Sequence, residues 1–221
     1  MKGSYPLGEL RDLNQLKPFH LDVLKEIGNI GAGHAATSLS TLLRRKIDMK
    51  VPNVRVVPLQ DLPDQVGGAE AEVAAIFLRI EGDAPGSMFF LSEIDQAERL
   101  IRSLIEDEDF QLKQPPFDQI GLSALQEVGN ILSGSYLSSL ADFTKLNLQP
   151  TVPGLSIDMV GAVLNYGLMS ISEVSDHALV IDTHITEADN KSEETSGHFF
   201  LLPDPDSFQV IFKALGVDVD E

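Results

Sequence analysis

The chain has 221 residues, 43% of them hydrophobic and 23% charged, which is typical of a globular protein large enough to bury a sizeable core. It contains no cysteine, and this excludes disulfides, thiolate zinc sites and cysteine nucleophiles. The formal net charge of −18 disfavours nucleic acid and anionic lipid as partners. No apolar run reaches about 18 residues and the N-terminus lacks an apolar signal segment, so we expect a cytoplasmic protein that does not insert into membranes.

The first half of the chain predicts a long helix, a strand, a hairpin and a second helix. Residues 1–17 precede them as a tail, with a short helical possibility at Glu9–Leu16 that Pro18 would interrupt. The predicted elements are a helix over about Phe19–Arg44, a strand at Val54–Val57, a loop or helical turn over Asp61–Gly68, strands over Ala71–Ile80 and Ser87–Leu91, and a helix over Asp95–Ile105. An acidic run over Glu106–Asp109 and the pair Pro115–Pro116 then form a connector.

The second half repeats this order. The elements are a long helix over about Asp118–Lys145, the segment Leu155–Val160, a strand over Ala178–Ile185, a polar tip over Glu187–Ser196, a returning strand over Phe199–Leu202 and a closing helix over Ser207–Leu215. The polar tip is longer than its counterpart in the first half, and we expect it to be mobile.

The two halves also share residues at fixed spacing. Asp22, Glu26, Asn29 and Pro52 recur 101 positions later as Ser123, Glu127, Asn130 and Pro153. We therefore expect residues 1–221 to form a single domain of two internal repeats, about 18–105 and 118–215. The predicted fold is α+β with two layers, in which the strands of both repeats join in one antiparallel sheet and the two long helices lie exposed on one side.

The repeated polar residues lie at i, i+4 and i+7, so each set forms one stripe along a helix. A carboxylate can hold a lysine or arginine of another molecule, and a carboxamide can donate to and accept from a water at once. The carboxamide cannot act as a general base at neutral pH. Such a pair would position a water while the substrate supplies the electrophile and any metal, which suits an activated phosphoryl group. A lone Glu-x-x-Asn is usually a solvated helix face, but the duplication argues against that explanation.

Glycines interrupt the first helix at Gly28, Gly31 and Gly33, at a cost of about 1 kcal/mol each relative to alanine. Their spacing differs from a nucleotide-binding loop and no strand precedes them. They indicate close approach of either the neighbouring helix or a docked protein, and the sequence leaves both open. The five histidines show no metal-ligand spacing, and no serine lies in a hydrolase elbow.

At these residues the sequence resembles the CheC family of chemotaxis proteins, within the CheC/CheX/FliY group of phosphatases. The group's signature, Asp/Ser-x3-Glu-x2-Asn-x22-Pro, is met twice, and the resemblance covers nearly the whole chain from about Pro18. It implies an enzyme, a protein phosphatase that dephosphorylates the aspartyl phosphate of the response regulator CheY in two-component signalling. It implies that Asn29 and Asn130 orient the attacking water, that Glu26 and Glu127 pair with a lysine of the regulator, and that Asp22, Ser123, Pro52 and Pro153 are supporting positions. The Mg²⁺ would be carried by the regulator, so no cofactor of the chain's own is expected.

The resemblance also implies further partners. CheC-like proteins bind the receptor deamidase CheD, and an alternative hypothesis is a binding module for CheD or for the flagellar switch with weak catalysis. The divergence of the halves, Ser123 for Asp22 and Leu132 for Gly31, motivates this alternative. Because the chain stops at Glu221, soon after the last predicted helix, we expect it to lack the flagellar switch domain of FliY-like members.

Overall fold

The computed structural model describes residues 13, 16–112, 117–169, 176–187 and 190–216. Its strands pair antiparallel in one eight-stranded sheet. The α-helices are α1 (Pro18–Leu43), α2 (Ile94–Ile105), α3 (Gln119–Thr144), α4 (Val160–Met169) and α5 (Pro205–Ala214). The strands are β1 (Ile47–Lys50), β2 (Val54–Pro58), β3 (Glu72–Gly82), β4 (Gly86–Glu93), β5 (Leu148–Pro150), β6 (Gly154–Met159), β7 (His177–Glu187) and β8 (Asn190–Pro203). Two short 3₁₀ turns, Leu59–Asp61 and Pro63–Val66, lie between β2 and β3.

The strands of the two repeats interlock. The sheet order is β1-β7-β8-β4-β3-β5, with β2 also pairing with β7 and β6 with β3. The first two strands of each repeat thus pair with the third strand of the other repeat. At the centre β4 pairs with β8, where Phe89 lies opposite Phe200 and Phe90 opposite Phe199. The β3–β4 and β7–β8 pairs are each formed within one repeat, and the pairings of β1, β2, β5 and β6 and of β4 with β8 join the two repeats.

Four helices cover one face of the sheet. The main core contains buried side chains of α1, α2, α3 and α5 together with Phe90 and Phe199, whose ring centroids lie 4.8 Å apart. Tyr136 of α3 adds its ring 4.5 Å from Phe199 and its hydroxyl 3.0 Å from the Thr183 Oγ1 of β7. This packing buries one side of each long helix, and the opposite side faces outward.

A second, smaller core lies on the other face. It holds Phe89 and Phe200 under α4 and the 3₁₀ turns, with Val160, Val163 and Leu164 as the buried residues of α4. The sequence pattern did not predict α4, because its ten residues include two glycines and an asparagine and its short apolar run is compatible with a strand.

The predicted α+β fold with a joined antiparallel sheet is confirmed. Helices α1, α2, α3 and α5 and the β3–β4 hairpin begin and end within two residues of their predicted limits. The four-residue strand β1 was not predicted. Most of the tail, residues 1–12, 14 and 15, and the proline pair of the connector, within 113–116, lie outside the described residues.

The polar tip predicted over Glu187–Ser196 is wrong for residues 190–196. Strand β8 already begins at Asn190 and pairs with β7 through Ile185 opposite Thr195 and Thr183 opposite Gly197. The pairing depends on backbone hydrogen bonds and on buried side chains of β7, so the polar composition of the segment did not reveal it. Residues 188 and 189 lie outside the described residues.

Candidate functional site

The first stripe lies near the start of α1. Asp22 and Glu26 are exposed, and Asn29 is half-buried. The helix begins at Pro18, and the buried His20 ring stabilises its first turn, since Nδ1 accepts a 3.1 Å hydrogen bond from the Lys17 backbone N–H. Burial, together with the nearby Lys17 charge, lowers the pKa of His20, which favours the neutral ring that this bond requires. The stripe is therefore presented by a helix whose N-terminus is anchored to the core.

The second stripe lies at the same place on α3. Ser123, Glu127 and Asn130 are all exposed. The helix is capped by Asp118, whose Oδ2 accepts a 3.0 Å hydrogen bond from the Gly121 backbone N–H. Both stripes thus offer a carboxylate and a carboxamide one helical turn apart.

Neither glutamate is engaged within the part of the chain that the structure describes. Glu26 and Glu127 form no ion pair or side-chain hydrogen bond with a described residue. Since both are exposed, their carboxylates can meet a cation of another molecule without breaking an internal contact.

Asn29 makes three hydrogen bonds. Its Oδ1 accepts from the Val51 backbone N–H at 3.0 Å, and its Nδ2 donates to the Val51 carbonyl at 3.3 Å and to the Lys25 carbonyl at 3.0 Å. Val51 directly precedes Pro52, so the 22-residue spacing of the motif brings this backbone segment against the asparagine. Pro52 itself is exposed.

In the second copy of the motif a different side chain holds the proline segment against the helix. The Nε2 of Gln126 donates to the Pro153 carbonyl at 3.2 Å, and the Asn130 side chain forms no hydrogen bond with the described residues. Sequence reasoning missed both Val51 and Gln126. The repetition of valine before the proline in each copy, at Val51 and Val152, was a signal that could have drawn attention to this segment.

The structure separates the helical glycines into two kinds. A Cβ added at Gly31 would lie 3.0 Å from the Tyr136 Cα and 3.3 Å from the Ser135 carbonyl oxygen, so Gly31 permits close packing of α1 on α3. A Cβ at Gly33 or at its counterpart Gly134 would meet no atom of a described residue within 4 Å. The neighbouring helix therefore explains Gly31 and does not explain the other two.

Outside the two stripes, the charged side chains Arg55 and Asp182 and the ring of His198 form contacts that join strands. His198 Nδ1 lies 2.8 Å from Asp182 Oδ1, and Arg55 contacts the same carboxylate and Gln65. This network joins β2, β7 and β8. Within the described ranges no group of three or more His, Asp or Glu side chains could hold a metal ion, and no helix there is long and apolar enough to cross a membrane.

Comparison with known proteins gives a consistent result for the two stripe regions. The model of the CheC-like family matches residues 19–56 and 120–157, which contain both copies of the motif. The chain is 50% identical over 206 residues to the CheY-P phosphatase CheC of Bacillus subtilis, covering 93% of this chain and 98% of that protein. It is 32% identical over 144 residues to the flagellar motor switch phosphatase FliY of the same organism, covering 64% of this chain and 37% of FliY.

A solved structure shares the fold. The crystal structure of Thermotoga maritima FliY superposes with a TM-score of 0.70 at 20% identity, covering 91% of this chain and 98% of that one.

Proposed function

Because the chain belongs to the CheC-like family, we propose that its two Glu/Asn stripes are the sites of the family's reaction. The chain is a chemotaxis phosphatase that hydrolyses the aspartyl phosphate of a phosphorylated CheY-type response regulator. We assign that reaction to Glu26, Asn29, Glu127 and Asn130.

The observation that carries the proposal is the shared arrangement of the two helices. Each presents an exposed carboxylate one turn before a carboxamide, and neither carboxylate forms an ion pair with a described residue. An aspartyl phosphate is already activated, so its hydrolysis needs an aligned water and compensation of charge more than a strong base. Each stripe supplies a carboxamide that can orient the water and a carboxylate that can bind a cation of the regulator.

In this mechanism the glutamate and the asparagine have separate roles. Glu26 or Glu127 forms an ion pair with a lysine of the regulator and sets the helix against the phosphorylated site. Asn29 or Asn130 then donates to and accepts from the attacking water and aligns it with the phosphorus. The regulator carries the Mg²⁺ that balances the charge of the phosphoryl oxygens, and Asp22, Ser123, Pro52 and Pro153 support the local geometry.

The experiment is the decay of a phosphorylated CheY-type regulator in the presence of glutamate variants. We expect Glu26→Ala with Glu127→Ala to weaken association with the phosphorylated regulator at least tenfold. The matched control is Thr41→Ala with Asp142→Ala, two exposed positions 12 residues after each asparagine on the same helices. Equal affinity and equal decay rates for the glutamate variant and the control would contradict the proposed sites.

We also propose a cytoplasmic location and a deamidase of the CheD type as an additional partner. The support is the membership of the CheC-like family and, for the location, the absence of cysteine from the chain. A pull-down with a CheD-type deamidase, followed by the regulator assay with and without it, tests the second partner. Failure of the deamidase to bind at micromolar concentration would contradict the proposed second partner. It would not bear on the phosphatase activity.

A further inference from the structure

The segment before the proline lies differently in the two copies of the motif. Val51 is 2% exposed, while Val152, at the same place in the second copy, is 85% exposed. The Val51 side chain packs over Gly28, where an added Cβ would lie 3.4 Å from Cγ2. At Gly129, the counterpart of Gly28, the nearest atoms belong instead to Ile76 of the sheet. The first segment is thus folded against its helix, and the second is turned outward.

This difference determines the hydrogen-bonding capacity of Asn29. A carboxamide has two N–H donors, and those of Asn29 Nδ2 are directed to the Lys25 and Val51 carbonyls. Its oxygen also accepts from the Val51 N–H. With both N–H groups engaged, Asn29 cannot donate a hydrogen bond to a water. It therefore cannot donate to and accept from the same water until the Val51 segment is displaced.

Asn130 has no such restriction. Its side chain is exposed and forms no hydrogen bond with the described residues. The proline segment of this copy is held instead by Gln126, which lies one turn before Asn130 and donates to the Pro153 carbonyl. The first copy has Lys25 in the place of Gln126, and there Asn29 itself makes the contact to the segment.

We propose that the two sites are unequal: the Glu127–Asn130 site carries most of the turnover of the isolated chain, and the backbone of Val51 holds the Glu26–Asn29 site inactive until that segment moves. The Val51 backbone competes with the attacking water for the hydrogen-bonding groups of the Asn29 carboxamide. Gln126 is a positioning residue, because it holds the second segment without using Asn130. This inference rests on the proposed function and adds an order of activity between its two sites.

The kinetic test compares single variants under the same conditions. Decay of the phosphorylated regulator is followed with wild type, Asn29→Ala, Asn130→Ala and the double variant, each checked for an unchanged melting temperature. We expect Asn130→Ala to lower the accelerated rate at least tenfold and Asn29→Ala to lower it about twofold or less. Equal losses, or a larger loss from Asn29→Ala, would overturn the inequality. An unreduced rate in the double variant would instead overturn the proposed function, so the two failures are distinguishable.

A second measurement tests the contact directly and does not depend on activity. Hydrogen exchange of the Val51 backbone amide, followed by NMR in the full chain, reports its bond to Asn29 Oδ1. We expect this amide to be protected in the wild type and to exchange at least tenfold faster in Asn29→Ala, while Asn130→Ala leaves it unchanged. Exchange of the Val51 amide at the same rate in the wild type and in Asn29→Ala would show that Asn29 is not held, and the proposal would fail.

Discussion

Gly31 of α1 lies against the backbone of Tyr136 of α3, so closely that a Cβ on Gly31 would stand 3.0 Å from the Tyr136 Cα. This contact fixes the two stripe-bearing helices side by side on the sheet. The position of each Glu/Asn pair is therefore set by the core and not by a flexible loop, which suits a site that works by alignment.

Replacement of Gly31 by a large side chain should disrupt this packing. Gly31→Leu places four carbon atoms where the Tyr136 backbone and the Ser135 carbonyl leave no room. Overpacking of this kind costs about 1–3 kcal/mol, and we expect the free energy of unfolding to fall by that amount. Chemical denaturation of wild type and variant measures the change. A variant as stable as the wild type would show that the helices are not in close contact at this point.

The exposed glycines should respond in the opposite direction. Gly33→Ala and Gly134→Ala add a methyl group that meets no atom within 4 Å in the part of the chain that the structure describes. Alanine is favoured over glycine in a helix by about 0.5–1 kcal/mol, so each variant should be more stable than the wild type by roughly that amount.

The same two variants also test the docked-protein explanation of these glycines. Both follow their asparagine by four residues, so they continue the stripe by one turn. If the regulator approaches the helix closely there, each methyl group raises KM for the phosphorylated regulator several-fold although the fold is stabilised. An unchanged KM in both variants would remove partner approach as the reason for glycine at these positions.

The pKa of Tyr136 should lie well above that of an ordinary tyrosine. Burial raises the pKa of Tyr136 to about 12, while its hydrogen bond with Thr183 acts in the other direction. Because the pKa is higher in the folded state than in the unfolded state, the protonated Tyr136 hydroxyl contributes to the free energy of unfolding. That contribution is fully present below the unfolded-state pKa of about 10 and is lost as pH rises through about 12. Absorbance at about 295 nm in wild type and Tyr136→Phe isolates the transition. A Tyr136 titration near 10 in the folded protein would contradict this.

Gln126 offers a test of the second segment that leaves both proposed Glu/Asn pairs unchanged. Gln126→Leu removes the hydrogen bond to the Pro153 carbonyl. The backbone segment around Pro153 can then move and form hydrogen bonds with the Asn130 side chain. We expect kcat with the phosphorylated regulator to fall several-fold while KM changes little, since the Glu127 contact is retained. Lys25→Leu is the matched control, because no hydrogen bond of the Lys25 side chain to a described residue is present. Equal kcat values for the two variants would argue against a positioning role for Gln126.

Much of the architecture could be predicted from periodicity. The long helices follow from apolar residues at helical spacing, and the β3–β4 hairpin follows from two apolar runs around a predicted turn at Glu81–Gly86. Strand β1 has only four residues, with Ile47 and Met49 buried and Asp48 exposed, and this alternation is too short to be decisive. The polar start of β8 depends on pairing with β7, a long-range contact that local composition does not encode.

The site was predictable in its residue types but not in its internal contacts. The shared spacing placed the Glu/Asn pairs on equivalent faces, and the structure shows those faces turned outward. Val51 and Val152 are the same residue at the same offset, yet one is buried and the other exposed. The surroundings of the two segments differ, since Val51 packs over Gly28 while Gly129 lies against Ile76. Only the folded chain reveals that the Asn29 side chain is hydrogen-bonded to Val51 and that the Asn130 side chain has no hydrogen bond to a described residue.

We propose that the carboxamides act on the attacking water while the glutamates provide the contact with the regulator. The most direct measurement is made on Asn29→Ala with Asn130→Ala, by determining both its Kd for the phosphorylated regulator and the decay rate of the phosphate at saturation. We expect a Kd within about threefold of the wild type and a decay rate that falls to that of the regulator alone. A decay rate at saturation equal to that of the wild type would contradict it.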